Sequence, residues 1–225
     1  MVVEALVVST TESKRANAQS GASPRTALLT AIERRAGKDE VASCLDALIQ
    51  SPKPTSSNAP LSSRIDGKWE LIWSIGDENF SPLLRLPPPL KPGSYQYVGS
   101  EAAREVGEGR IAQLLTGGVF GETKAWLSSG VVPVKGKEED TLEIRPPFRL
   151  ELETSPSKPR RLLVDAGSDA DFRAVNARTT EAQRAPPNLY QQLYLEDNGP
   201  GSLRVSKIIE GDPVIVGAVL VHRKL

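Results

Sequence analysis

From residue 68 to the end, the chain falls into short alternating runs of apolar and polar residues separated by glycine and proline, and no other feature limits the fold as strongly. Successive side chains on a strand point to opposite faces. A run such as 148–154, where Phe148, Leu150 and Leu152 interleave with Arg149, Glu151 and Glu153, therefore has one dry and one wet face. The same pattern gives ten candidate strands: 69–75, 94–98, 110–115, 121–127, 141–144, 148–154, 161–165, 189–196, 203–209 and 213–223. So many short strands with breakers between them predict a mainly β domain closed as a sandwich or barrel. The charged run KGKEED, residues 135–140, reads as the solvated tip of a hairpin.

The segment before it has a different period. Residues 1–23, rich in Ser, Thr and Ala, are assigned no structure and read as a flexible tail or a targeting remnant. Ser23-Pro24 is a helix start, with Ser as N-cap and Pro in the first turn; Leu28, Leu29 and Ile32 form its face and Gly37 its stop. A second helix presents Val41, Cys44, Leu45 and Leu48 before Ser51-Pro52 ends it. The helical pair, 24–51, is expected to cap the β domain. Residues 52–63 read as a polar linker and 64–225 as the β domain, interrupted by a proline-rich insertion at 77–93.

Composition removes several classes of function. There are 28 Lys plus Arg and 28 Asp plus Glu, so the chain lacks the basic footprint of a nucleic-acid binder. The single cysteine, Cys44, excludes an intrachain disulfide framework and a zinc site of several thiolates, and reads as a small apolar residue of its helix face. The single histidine, His222, argues against a hydrolase triad and reads as a packed or edge residue of a terminal strand. No apolar run approaches the roughly 18 residues of a spanning helix, so the expectation is a chain that is soluble or lies on a membrane surface. Asp165, Asp169 and Asp171 in DAGSDAD lack the spacing and closing Glu of a calcium loop, and GGVFGETK at 117–124 lacks the spacing of a phosphate loop. Asp197 with Arg204 reads as an ion pair fixing a strand turn. No enzymatic activity, cofactor or metal is expected.

The first strand is the richest segment. In RIDGKWELIWSIGDE, residues 64–78, regular alternation puts Trp69, Leu71, Trp73 and Ile75 on one face, either packed in a core or lining an apolar cavity. In the insertion, FSPLLRLPPPL at 80–90, four prolines prevent a regular helix or central strand. Its Phe80, Leu83, Leu84 and Leu86 must therefore plug the barrel or form a lid that dips into a membrane or lipid-globule surface.

Gly67-Lys68-Trp69 resembles the Gly-x-Trp signature of lipocalins and the wider calycin group. Together with LLTAI at 28–32, IDGKWELIWS at 65–74 and the C-terminal YLED, LRVS and VLVHR, it resembles the plastid lipid-associated proteins, or plastid fibrillins, over residues 24–225. Residues 198–201 are inserted relative to that pattern, and Lys207-Ile208 stand where it usually has Arg-Gly. The resemblance implies a lipocalin-like antiparallel β-barrel behind an N-terminal helical cap, located in plastids (chloroplasts) at thylakoids or plastoglobules. Its partner would be a hydrophobic small molecule or lipid: a carotenoid, a quinone or other isoprenoid, or an acyl lipid. The alternative is a ligand-free scaffold that binds a protein of a thylakoid or plastid biosynthetic complex. In a barrel of this kind Gly67 and Trp69 lie at the closed end, and an arginine of a late strand, Arg204 or Arg223, covers Trp69. The candidate ligand contacts are Trp73, Leu71, Ile75, Tyr95, Tyr97, Trp126 and Leu150. Asn79 begins a glycosylation sequon that a plastid location would leave unused.

Overall fold

The computed structural model describes residues 21–52, 60–76, 83, 86–107, 111–134, 140–168, 170, 171, 174, 178, 186–196 and 199–225. Residues 1–20, most of the linker and of the charged hairpin tip, and Asn79, Phe80, Leu84, Asp169 and Asp197 lie outside the described residues. The chain divides into two compact units, residues 1–51 and 52–225.

In the first unit, α1 (Pro24–Glu33) starts where the sequence places it: Ser23 Oγ accepts from the Thr26 amide at 3.2 Å and Pro24 occupies the first turn. It stops at Arg34, short of Gly37, because Arg35 adopts a left-handed backbone with φ 56°. The second helix, α2 (Lys38–Gln50), buries Val41, Leu45 and Leu48, while Cys44 at the edge of that face is half-buried.

The second unit is a strongly curled antiparallel sheet of eleven strands. These are β1 (Gly67–Ile75), β2 (Gly93–Val98), β3 (Ile111–Thr116), β4 (Lys124–Ser129), β5 (Val131–Pro133), β6 (Thr141–Ile144), β7 (Arg149–Glu153), β8 (Arg161–Asp165), β9 (Asn188–Leu195), β10 (Leu203–Glu210) and β11 (Val219–Lys224). Their order is β5-β6-β9-β10-β11-β1-β2-β3-β4-β7-β8, a half-barrel in its pairing. One hairpin supplies β5-β6 at one end of that order and β4-β7, beside the edge strand β8, near the other. Only Gly130 separates β4 from β5, and the facing arm runs from β6 through residues 145–148 into β7. Arg145 N donates to Gly130 O at 2.9 Å and Phe148 N to Ser128 O at 3.0 Å, so pairing continues through the bend. At the base of the hairpin β4 lies against β3, while farther along β6 lies against β9. Its arms thus contribute strands to both sides of the curl, β5-β6 beside β9 and β4-β7 beside β3.

Two short helices were not legible in the sequence. The first, α3 (Leu61–Ile65), begins inside the segment read as a linker. Its Leu61 and Ile65 pack with Trp69, Val98, Ile111, Leu142 and Leu195. Those residues come from β1, β2, β3, β6 and β9, which are not all neighbours in the sheet, so the cluster spans the concave side and α3 stoppers that end. Arg64 fastens it, donating to Asp140 Oδ1 at 3.2 Å and to Leu195 O at 3.4 Å. The other, α4 (Ser100–Val106), lies on the opposite, convex face, where Ala102 and Val106 pack with Tyr95, Tyr97, Ala112, Leu114 and Trp126. Asp66 caps it, accepting from the Ser100 amide at 3.0 Å and hydroxyl at 2.8 Å.

The expected strand 213–223 is half turn. Asp212 Oδ1 accepts from the Val214 amide at 2.9 Å, and Gly217 adopts φ 91°, so β11 begins only at Val219. Ile215 and Ala218 of that turn pack with Ile208 and Leu220 at the far end of the concave side. After the proline-rich insertion, Val119 N donates to Leu90 O at 3.0 Å, and a Cβ on Gly118 would lie 2.3 Å from that same carbonyl. Only glycine permits so close a crossing there.

Candidate functional site

The registers separate the two faces residue by residue. Trp69 pairs with Gln96, Gln96 with Gln113, Gln113 with Leu127 and Leu127 with Leu150, and directly opposed residues share a face. In the other direction Leu71 pairs with His222, and His222 with Arg204. All of these point to the concave side with Trp69.

Trp73 and Ile75 do not. A bulge falls between Leu71, opposite His222, and Trp73, opposite Val221. The extra residue, Ile72, reverses the alternation beyond it, so Trp73 and Ile75 lie on the convex face and Ser74 takes the concave one. Tyr95, Tyr97 and Trp126 are also convex, one step out of phase with Gln96 and Leu127. Lys68 Nζ lies 5.3 and 5.2 Å from the Tyr95 and Tyr97 ring centres, and α4 packs beside them. Trp126 carries the Arg160 guanidinium 4.1 Å from its ring and donates through Nε1 to Glu153 Oε2 at 3.1 Å. Burial opposes ionisation of Glu153, but hydrogen bonds from Lys124 and Trp126 and the charges of Lys124 and Arg160 outweigh it and hold its carboxyl below the usual value. These aromatics fasten β4, β7 and α4 together. Of the expected ligand contacts only Leu71 and Leu150 line the concave side.

Gly67 leads into the stoppered end with φ 131°. Trp69 is fully buried there and donates through Nε1 to Ile65 O at 2.8 Å. Of the two arginines expected over its ring it is Arg204, at 4.8 Å. Arg223 is convex and donates to Glu70 at 2.8 Å. Of the loop residues, Leu83 and Leu86 are half-buried, and Phe80 and Leu84 fall outside the described residues.

Beside Trp69 the concave side carries a polar patch, of which sequence reasoning had placed only Arg204 there. Arg204, His222, Gln96, Ser206 and Gln192 are all buried. Arg204 Nη2 donates to Gln96 Oε1 at 2.5 Å, and Ser206 Oγ to Gln192 Oε1 at 2.7 Å. Burial pushes Arg204 down to about 10, against an opposing effect of Tyr190, so it stays charged at neutral pH. Burial, and then the adjacent Arg204 charge, hold His222 well below its ordinary value. The signal was present in Leu203-Arg204-Val205-Ser206, whose alternation is as regular as that of 148–154; here the polar side is the inside.

His222 is the only histidine, which makes its titration legible in stability. Its folded pKa lies below the unfolded one, so the unfolded chain takes up a proton first as pH falls. Its contribution is fully present above about pH 6.5 and is lost on acidification, at up to about 1.4 kcal/mol per pH unit. Urea unfolding between pH 7 and 5 is expected to show this slope, and His222→Gln to flatten it.

Around the polar patch, Leu71, Gln113, Leu115, Leu127 and Leu150 are only half-buried although they point inward. The concave side thus offers a fixed cation, amide donors and acceptors, and an apolar wall that still reaches solvent. Among the described residues no group of three or more His, Cys, Asp or Glu side chains is arranged to hold a metal ion. Compared with known proteins, the chain matches no family model, no curated protein and no solved structure.

Proposed function

We propose that the protein holds a hydrophobic metabolite against the concave side of its sheet, as expected of the plastid lipid-associated proteins it resembles. It is a carrier or store of a carotenoid, quinone, other isoprenoid or acyl lipid at thylakoids or plastoglobules, and not an enzyme. One observation carries this reading: Leu71, Leu115, Leu127 and Leu150 face inward and remain half-buried. Inward leucines of a filled core would be fully buried, as Leu142 and Leu195 are. Burying that apolar wall beneath a ligand would gain about 25 cal/mol per Å². The loop at 77–93 would meet the lipid surface, where Leu90 is 49% exposed.

The test is native purification followed by organic extraction and mass spectrometry. One apolar species in near-equimolar amount is expected. Protein that comes free of any such species and takes up no fluorescent apolar probe would contradict the reading.

The scaffold reading has its own observation. At the sheet edge, every residue of β8 is exposed, including Leu162, Leu163 and Val164 at 45, 44 and 53%. An uncovered apolar edge is a template for strand addition by a partner protein. Co-purification of a plastid protein without lipid would favour it.

A further inference from the structure

We infer that the concave interior contains an oxyanion site built on Arg204 and His222, which takes the carboxylate or phosphate end of an otherwise apolar ligand. The inference rests on the carrier reading and narrows its ligand class. Arg204 is 3% exposed and His222 2%, they are directly paired across β10 and β11, and both point to the concave side. Arg204 lies on the Trp69 ring and donates one hydrogen bond, to the neutral Gln96, while its Nε has no partner. His222 Nδ1 is also buried without a partner. Among the described residues no carboxylate forms an ion pair with Arg204.

A buried guanidinium normally has an anion, because neutral acceptors do not repay its dehydration. Stacking over Trp69 explains where the guanidinium lies but leaves its Nε–H without an acceptor. Neutral imidazole can carry its proton on Nδ1, so the two orphan atoms can both donate to one oxyanion. Ser206 and Gln192 extend the polar surface on the same side, and the half-buried leucines extend the apolar one. A polar end anchored beneath an apolar wall suits an amphiphile better than a pure hydrocarbon.

Titration calorimetry on the full, delipidated chain tests this with lauric acid, dodecyl phosphate, dodecanol and inorganic phosphate. The acid or the alkyl phosphate is expected to bind at least about tenfold more tightly than the alcohol, as charge-assisted hydrogen bonds would give. Arg204→Met should reduce that binding to the level of the alcohol. So should Gln96→Glu, which keeps the side-chain shape and gives Arg204 an internal carboxylate, and which tests the site even if the methionine variant folds poorly. Inorganic phosphate binding as tightly as dodecyl phosphate, and lost in both variants, would support the site with free phosphate as its source. Equal affinity for acid, alkyl phosphate and alcohol, or a preference that survives both substitutions, would overturn the oxyanion site and leave the carrier reading standing. No binding of any of the four would overturn both.

Discussion

Replacing Trp69 by alanine is expected to destabilise the β unit by about 3–5 kcal/mol, as large aromatic truncations in cores do. Trp69 is 0% exposed and touches both α3 and the sheet. Its ring joins α3 to residues of β2, β3, β6 and β9, its Nε1 satisfies the Ile65 carbonyl at the end of α3, and the Arg204 guanidinium lies over the ring. Alanine would leave a cavity between α3 and the sheet, orphan that carbonyl and remove the cation-π partner of a buried charge. Phenylalanine retains most of the volume but not the donor, and should lose about 1–2 kcal/mol. Trp73→Ala, at a half-buried convex position, should cost clearly less than Trp69→Ala. Urea unfolding followed by circular dichroism measures all three, and equal losses at Trp69 and Trp73 would remove Trp69 from its central place.

That contrast between two tryptophans four residues apart also shows how far the sequence could be read. Alternation in the β region gave the strands because period-two patterning survives wherever a strand has one dry face. It gave the faces wrongly wherever the backbone inserted a residue. Nothing in WELIWSI marks Ile72 as the extra one; the bulge is fixed by how β1 meets β11. The strand expected at 121–127 is β4 at 124–129, because the chain is still turning at Gly121, which adopts φ 57° after a turn at Gly118–Phe120, and β5 follows Gly130 as a separate short strand. The helix α3 hid in a Pro- and Ser-rich stretch because its stability comes from packing Leu61 and Ile65, not from its five residues' own propensity.

The polar interior was hidden by an ambiguity. Alternation is as regular in 203–206 as in β7, where Arg149, Glu151 and Glu153 are the outer side, and it does not say which side of β10 is the inner one. Only the curl of the sheet decides that in β10 the side of Arg204 and Ser206 faces inward, where Gln96 and His222 arrive from β2 and β11. By contrast Trp69 with an arginine above it was expected from the resemblance, and that contact holds the stoppered end.

The most direct measurement sets the two faces against each other. Leu127 is concave and half-buried, so Leu127→Trp would fill the interior space beside Gln113 and Leu150 while leaving the registers of β4 intact. Binding of a fluorescent apolar probe is expected to be abolished in Leu127→Trp and unchanged in Trp73→Ala, with both proteins folded by circular dichroism. Probe binding that survives Leu127→Trp and is lost in Trp73→Ala would put the ligand on the convex face and contradict the concave site.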